Sequence, residues 1–407
     1  MATKNITGLN DESIIVSTSG NTYNVAQNAK VIATGGMSGG DPTGAIMEDS
    51  TAMPAPKNNI YNIDGRVIGF SAGIVTLGKN DEVHIGETGK VSGMHGVLMT
   101  GNNSLFTNEG EIVAGQGYGV FGGEGTKMEF HNDGSIVGLA GMVAISSDKM
   151  LMVNEDKGDI VALQYGAALI SDTGQTSKFI NHGSVLVSVN EGASFMGGAG
   201  NETVINDGKM TGNVILNDGN DSFDNRGGVV QGTIAGGNGD DVLITDKASV
   251  KLYENSSEGT DTVKSTVNYT LSENVENLIL LGNADINGMG NAGDNTLHGN
   301  VGNNVLKGLA GADVLFGGKG DDQLIGGADA DIFHFVKGDG HDTITDFLQG
   351  TDKVDVSEWT GMNSLADIKS HAHNDGSNVV IEFGADSLQI DNLHKADLAM
   401  ADFVFPI

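Results

Sequence analysis

The sequence predicts an all-β protein, a right-handed parallel β-solenoid that continues into a parallel β-roll and ends in a small β-rich cap with one short helix. Three observations predict this fold. A motif with an Asn-x-Gly corner recurs through the first half of the chain, and a nine-residue unit recurs in the second half. The 407 residues include 63 glycines but only 4 prolines, a composition that suits repeated tight turns without a collagen-like triplet.

The longer repeat has the form apolar-x-Asn-x-Gly-x-apolar. Clear copies are FTNEGEI from Phe106, FHNDGSI from Phe130, FINHGSV from Phe179, VINDGKM from Val204 and FDNRGGV from Phe223. The turn glycines lie 19 to 25 residues apart, at Gly65, Gly89, Gly110, Gly134, Gly158, Gly183, Gly208 and Gly227. This spacing is typical of one coil of a parallel β-solenoid, in which inward apolar residues stack from coil to coil. We therefore expect eight coils here, right-handed because parallel crossovers have that hand.

The nine-residue unit occurs five times in phase from Gly290 to His334, with a separate copy at Gly236–Ile244 and a looser one at Leu216–Asp224. Each in-phase unit opens with glycine, carries Asp or Asn at its sixth place and an apolar residue at its eighth. The inward residues are Leu297, Leu306, Leu315, Leu324 and Phe333. A flexible linker would not keep an apolar residue in strict register. The unit therefore predicts a tight turn followed by a short strand.

Charge and composition exclude several functional classes. The formal net charge is −32, from 53 acidic and 21 basic side chains, and the only arginines are Arg66 and Arg226. No basic stripe is present to bind nucleic acid. No apolar run is long enough to insert into a membrane, and the amino end lacks the features of a cleaved signal peptide. Because cysteine is absent, a metal would have oxygen ligands. Facing carboxylates in stacked turns favour calcium, which takes six to eight oxygens.

With these nonapeptides, the chain from about Asn213 to its end resembles the RTX module of proteins exported by type I secretion. The carboxyl-terminal part is similar to the corresponding domain of serralysin-type metalloproteases, but the protease motif His-Glu-x-x-His is absent. The resemblance implies calcium binding, a type I exporter as partner and secretion to the extracellular space. It also implies an uncleaved export signal of an acidic residue followed by apolar ones. Asp402, Phe403, Val404, Phe405 and Ile407 fit that signal, and Pro406 departs from it.

The resemblance also implies a set of calcium-binding positions, among them sixth-place carboxylates and turn residues. They are Asp221, Gly236, Asn238, Asp241, Gly308, Asp313, Gly317, Lys319, Asp322, Gly326, Asp331 and Asp342. Asn295 and Asn304 replace the sixth-place aspartate in the first two units, and Asp346 lies at the exit of the block. We expect all three to bind calcium more weakly, the two asparagines because a neutral amide is a poorer calcium ligand and Asp346 because it lies at the exit of the block.

The predicted domains are an N-terminal cap or leader (1–59), parallel β-helix repeats (60–235), the calcium-binding roll (236–346), and a cap with the secretion signal (347–407). The first segment is expected to hold one capping strand and a loop around residues 35–44. The last is expected to hold a short helix within Asn363–Ala372 and a hairpin within Asn378–Leu393.

The sequence favours a secreted, calcium-binding structural or adhesive protein that folds outside the cell, in a surface layer, an extracellular or biofilm matrix, or a host contact. Its partners would be other copies of itself or a cell-surface glycan. The alternative is a β-helical polysaccharide lyase or epimerase with an RTX secretion module. No catalytic motif supports an enzyme: GFSAG (Gly69–Gly73) and GMGNAG (Gly288–Gly293) spell known motifs, but neither precedes a predicted helix.

Overall fold

The computed structural model describes residues 2–10, 14–16, 18–32, 44–48, 57–123, 125, 127–145, 148–188, 192–359 and 361–406. Most of the loop predicted around residues 35–44, and Ile407 of the predicted export signal, lie outside this range. The chain divides into two compact units, residues 1–238 and 239–407. Both are built mainly of parallel strands, which confirms the predicted all-β solenoid class.

The first unit consists of three stacks of parallel strands, and each coil of the chain contributes one strand to each stack. The first stack contains Thr3–Ile6, Thr22–Val25, Ile60–Ile63, Glu82–Ile85, Leu105–Asn108, Glu129–Asn132, Leu151–Asn154, Thr176–Asn181, Asn201–Asn206 and Ser222–Asp224. The second contains Leu9–Asn10, Lys30–Ile32, Arg66–Ile68, Lys90–Gly93, Glu111–Ala114, Ser184–Val187, Lys209–Thr211 and Val229–Gln231. The third contains Ile14–Val16, Gly44–Glu48, Ala72–Thr76, His95–Thr100, Tyr118–Gly123, Ala193–Met196, Asn213–Asp218 and Ile234–Asn238. Two longer strands, Ser135–Ile145 and Asp159–Ile170, run through both the second and the third stack.

The predicted repeat positions stack in register. Phe106 pairs with Val83 on one side and with Phe130 on the other, and all three side chains are fully buried. The corner asparagines form a buried column in which the side-chain Nδ2 of each of the first five donates to the Oδ1 of the next coil. The members are Asn108, Asn132, Asn154, Asn181, Asn206 and Asn225, with distances from 2.6 to 2.8 Å. This column satisfies amides that would otherwise be costly to bury.

The segment before residue 60 differs from the single capping strand that the sequence predicts. Its strands pair in parallel within the same stacks, with Thr22–Val25 lying between Thr3–Ile6 and Ile60–Ile63. The rings of Tyr23 and Tyr61 stack with their centroids 5.4 Å apart. The segment therefore adds two coils to the first unit. The other predicted domain boundaries, and the right-handedness of the solenoid, stay predictions.

The second unit has two stacks. The fourth stack contains Val242–Thr245, Thr262–Ser265, Asn277–Leu280, Thr296–His298, Val314–Phe316, Ile332–His334, Lys353–Asp355 and Phe403–Val404. The fifth contains Tyr269–Thr270, Gly288–Met289, Val305–Ala310, Gln323–Ala328, His341–Ile344, Asp386–Ile390, Asn378–Phe383 and Ala372–Asp375, and Leu252–Tyr253 is a further short strand. Leu297 pairs with Leu315, and Leu306 pairs with Leu324, each 18 residues apart. Two nonapeptides therefore make one turn.

The carboxyl-terminal cap contains the predicted helix and hairpin. The helix spans Leu365–His371 and is N-capped by Ser364, whose side chain accepts a hydrogen bond from the Asp367 N–H. The strands Asn378–Phe383 and Asp386–Ile390 pair antiparallel. A 3₁₀ turn, Met400–Asp402, precedes the last strand. No helix among the described residues is long and apolar enough to cross a bilayer.

Candidate calcium-binding roll

Carboxylates form a column along one edge of the nonapeptide stack. Asp313 Oδ1 accepts a hydrogen bond from the Asn295 N–H at 2.8 Å, and Asp331 Oδ1 accepts one from the Asp313 N–H at 2.9 Å. Asp352 continues the column by accepting from the Asp331 N–H at 3.1 Å. Each sixth-place carboxylate therefore caps the start of the equivalent strand one turn earlier.

The opposite edge carries a second column with the same geometry. Asp322 Oδ1 accepts from the Asn304 N–H at 2.7 Å, and Asp342 Oδ1 accepts from the Asp322 N–H at 3.0 Å. A Cβ at Gly317 would lie 2.5 Å from Asp322 Oδ2. Only glycine therefore leaves space beside that oxygen.

The second oxygen of each of four carboxylates is buried without a hydrogen-bond partner. These atoms are the Oδ2 of Asp313, Asp322, Asp331 and Asp342. A buried, unpaired carboxylate oxygen carries a large desolvation penalty, which a bound cation would offset. Four such atoms at repeat-equivalent positions indicate cation sites.

Burial raises the pKa of the same carboxyl groups, and neighbouring carboxylates raise it further. The pKa rises to about 7 for Asp313, about 6 for Asp322, about 6 for Asp331 and about 8 for Asp342. Without a cation, these groups favour the proton-bound form well above the usual range of an aspartate. A divalent cation would supply the positive charge that keeps them ionised.

Backbone carbonyl oxygens lie beside the same carboxylates. A Cβ at Gly308 would lie 2.1 Å from Asp313 Oδ2 and 2.6 Å from the carbonyl oxygen of Gly326. A Cβ at Gly326 would lie 2.2 Å from Asp331 Oδ2. The donor set is thus carboxylate plus carbonyl oxygen, which suits a hard cation such as calcium. The residues present fit the ion that the sequence predicts.

The first two nonapeptides are organised differently. Asn295 Oδ1 accepts from the Asn291 N–H at 2.7 Å, and its Nδ2 donates to the Val275 carbonyl at 3.1 Å. Asn304 Oδ1 accepts from the Asn300 N–H at 2.8 Å, and its Nδ2 donates to the Ile286 carbonyl at 2.6 Å. An NH₂ group that donates to a backbone carbonyl occupies one of that oxygen's lone pairs. Weak calcium binding at both asparagines stays a prediction.

Sequence reasoning missed the asparagine at the second place of each of these two units. Asn291 Nδ2 donates to the carbonyls of Ser272 and Val275, at 2.6 and 2.8 Å. Asn300 Nδ2 donates to the Ala284 carbonyl at 3.0 Å. The signal was visible, because only the first two of the five in-phase units have asparagine at both the second and the sixth place.

A family model described as the RTX calcium-binding nonapeptide repeat matches the chain in four copies, at residues 233–247, 289–324, 298–333 and 308–344. The chain carries RTX calcium-binding repeats. Such repeats are typical of secreted proteins. Among solved structures, the extracellular lipase LipA from Serratia marcescens matches with 16% identity and a TM-score of 0.28, over 63% of this chain and 45% of the lipase. The chain thus spans less than half of that lipase. No curated protein matches the sequence.

Four predicted ligands belong to the looser and the separate nonapeptide copies: Asp221, Gly236 and Asn238 lie in the first unit and Asp241 in the second. In the first unit, Asn238 Nδ2 donates to Asp218 Oδ1 at 2.7 Å, and Gly236 lies in the same strand, Ile234–Asn238. Asp221 Oδ1 accepts from the Glu202 N–H at 2.6 Å, and burial raises the Asp221 pKa to about 8.

In the second unit, Asp241 lies in a group of three carboxylates with Glu254 and Asp261, and one oxygen of each lies within 4.8 Å of the other two. The Asp241 N–H donates to Asp261 Oδ1 at 2.9 Å, and burial raises the Asp261 pKa to about 6. Sequence reasoning missed Glu254 and Asp261. The signal for Asp261 is its place two residues before the buried Val263, as Asp241 precedes the buried Leu243.

The remaining predicted ligands lie in or next to the RTX block. The Lys319 N–H donates to the Asn300 carbonyl at 3.0 Å. Asp346 accepts with both oxygens, from the N–H groups of Gly326 at 3.1 Å and Gly327 at 2.9 Å. Because each oxygen of Asp346 already accepts a hydrogen bond, its carboxylate has less capacity left for a cation. That Asp346 binds calcium more weakly than the other carboxylates remains a prediction.

Proposed function

We propose that this protein is a secreted structural or adhesive protein whose RTX roll folds on calcium outside the cell. One observation carries the proposal: four roll carboxylates each keep a buried oxygen without a hydrogen-bond partner. A stack with such unpaired carboxylate oxygens is stabilised when calcium binds and is less stable without calcium. Extracellular modules bind calcium with a Kd of about 10⁻⁴–10⁻³ M, so the roll would stay open in the cytosol and close outside.

The carboxyl terminus agrees with folding after export. Asp402, the acidic residue of the predicted export signal, is fully buried and accepts from the Ala399 N–H at 2.7 Å. The next strand, Phe403–Val404, pairs with Lys353–Asp355. An exporter could not read these residues in the folded unit, so the signal would act in the unfolded chain.

The first unit supports a structural role better than catalysis on acidic glycans. Its outer surface has a cavity of about 850 Å³, beside which His131 Nδ1 lies 3.0 Å from Glu155 Oε1. Five carboxylates line this cavity, and its lysine, Lys157, lies 3.5 Å from Asp133. A polyuronate would meet negative charge there, whereas its carboxylates need cations. The alternative enzyme, a lyase or epimerase, therefore gains no support from this cavity.

The proposal is tested by attachment and assembly of the full chain. In millimolar calcium we expect self-association in analytical ultracentrifugation or retention on bacterial cells, and loss of both when a chelator is added. A calcium-loaded protein that stays monomeric and binds no cells would contradict the structural or adhesive role.

The enzyme alternative is tested with the same protein and a panel of acidic and neutral polysaccharides. We expect neither new reducing ends nor unsaturated products. If any polysaccharide is depolymerised, His131→Ala and Glu155→Gln would show whether the cavity of the first unit is responsible, with Glu87→Gln as a charge-matched control.

A further inference from the structure

A cleft on the second unit differs in charge from the rest of the protein. It has a volume of about 490 Å³ and lies on the outer side of the fifth stack. None of the chain's 53 acidic residues lines it, but two of its 21 basic residues do, Lys251 and Lys307. Three other cavities among the described residues each have three or more carboxylates in their linings. An acid-free cleft with two lysines is therefore unusual for this chain.

Lys251 is held in place by its neighbours. Its Nζ lies 4.0 Å from the centroid of the Tyr269 ring and donates to the Thr270 carbonyl. The Tyr269 hydroxyl in turn donates to the Val250 carbonyl at 2.8 Å, which fixes the ring. An ammonium group has three donors, so Lys251 keeps hydrogen atoms for a ligand. A restrained cation loses less conformational entropy on binding than a free lysine.

The side-chain amides of the cleft also present donors. Asn268 Oδ1 accepts from the Asn287 N–H at 2.8 Å, and Asn287 Oδ1 accepts from the Val305 N–H at 2.8 Å. Because both amide oxygens are used inside the protein, the Nδ2 groups are the parts left for a ligand. Lys307 lies next to Met289 in the strand register, which places an apolar side chain beside the second ammonium.

We propose that this cleft binds a carboxylate-bearing sugar of an acidic polysaccharide. A uronate supplies a carboxylate for the lysines, hydroxyl oxygens for the amide donors and an apolar ring face for Met289. The volume is in the usual range for a small-ligand site. The inference rests on the proposed adhesive function and names the ligand class of one surface. Nucleic acid is an unsuitable ligand, because a chain with a net charge of −32 has no continuous basic surface to bind its phosphates.

The test uses the full calcium-loaded chain and three probes: polygalacturonate, its fully methyl-esterified form, and inorganic polyphosphate. We expect polygalacturonate to be retarded in affinity electrophoresis, with binding about tenfold or more weaker for the ester, since the ester removes the charge. Lys251→Gln with Lys307→Gln should weaken polygalacturonate binding by at least about tenfold, a change of about 1.4 kcal/mol. Lys264→Gln, a partly exposed lysine of the fourth stack, is the matched control and should bind as the wild type does.

Circular dichroism in calcium checks that each variant folds, and Lys307→Gln alone replaces the double variant if the loss of Lys251 prevents folding. Equal binding of the ester, equal binding of polyphosphate, or wild-type affinity in the variants would overturn the proposal. So would self-association that disappears in the variants without any polysaccharide, because the ligand would then be a second copy of the chain. Cell attachment that survives in the double variant would overturn the cleft proposal and leave the adhesive function standing.

Discussion

At the scale of single residues, each sixth-place aspartate of the RTX roll has two separate tasks. Its Oδ1 accepts a backbone N–H from the preceding turn, while its Oδ2 is buried and unpaired. An asparagine could keep the first interaction and lose the second, because its amide has one acceptor oxygen and no charge. The two tasks can therefore be measured separately.

Asp313→Asn should raise the calcium concentration needed for folding and lower the cooperativity of the titration, because one charged ligand is lost. Asp313→Ala should do the same and also cost about 1 kcal/mol more, because the Asn295 N–H loses its acceptor. Asn304→Ala is the comparison variant, and its effect on calcium cooperativity should be smaller. Circular dichroism during calcium titration measures all three, and equal losses of cooperativity would contradict the assigned ligands.

A second buried acidic group lies in the first unit. Burial raises the pKa of Asp81 to about 8, and the nearby Glu48 carboxylate adds to the rise. Asp81 accepts from the N–H groups of Asn59 and Gly78, both at 3.0 Å. Because the folded pKa lies above the unfolded value of 3.8, the stability is fully present below about pH 4 and is lost as the pH rises through 8.

The Tm of the first unit should therefore fall by several degrees between pH 5 and pH 9, since about 1 kcal/mol shifts Tm by about 2–4 °C in a unit of this size. Asp81→Asn should remove the part of this slope that Asp81 contributes, because an amide does not titrate, and should leave the part due to Asp221 and Glu202, whose pKa values burial raises to about 8 and about 7. The exposed Glu87→Gln controls for net charge and should leave the slope unchanged. A wild-type Tm that does not fall over this range would disprove the assignment.

At the scale of elements, the roll contains two kinds of turn. The turns with Asn291 and Asn300 are closed by amide donors, and those from Gly308 onward are built around carboxylates with unpaired oxygens. An amide supplies its own hydrogen-bond donors, so its turn is complete without a cation. The carboxylate turns keep unpaired oxygens until a cation binds.

In chelator, hydrogen exchange should therefore be fast in residues 308–346 and slower in residues 291–306. Calcium should protect both segments. Asn300→Ala together with Asn304→Ala should remove the protection of the earlier segment in chelator, whereas Val301→Ala, at an exposed apolar side chain of the same turn, should not. Uniform exchange across both segments in chelator would mean that the amides do not stabilise their turns.

Much of the roll could be predicted because every nine-residue unit repeats the same spacing, so Asp313 and Asp331 had to fall on one edge. The amino-terminal coils could not, because Tyr23 and Tyr61 pair across 38 residues while their neighbours pair across about half that distance. A long insertion hides the period. The role of Glu254 was also hidden, since it depends on which side chains lie one turn away.

At the scale of the whole molecule, export should depend on the carboxyl terminus. Deletion of residues 402–407 should retain the protein inside cells that carry a compatible type I exporter, because the predicted signal is lost. Deletion of residues 1–57 removes two coils of the first unit but not the signal, so that variant should still reach the medium. Equal secretion of both deletions, measured by immunoblot of cells and medium, would refute a carboxyl-terminal signal.

The hydrogen bonds of the sixth-place column have a direction. In every pair the acceptor belongs to the turn that comes later in the chain, as from Asn295 to Asp313 and from Asp313 to Asp331. The first unit repeats this direction where the Asn59 N–H donates to Asp81 and the Glu202 N–H donates to Asp221. In a chain that is still being synthesised, the N–H of the last turn therefore has no carboxylate acceptor, because the residues that supply it have not been made. We therefore expect each turn to close only once the following turn is in place, so a ribosome-bound or truncated chain leaves its last turn open.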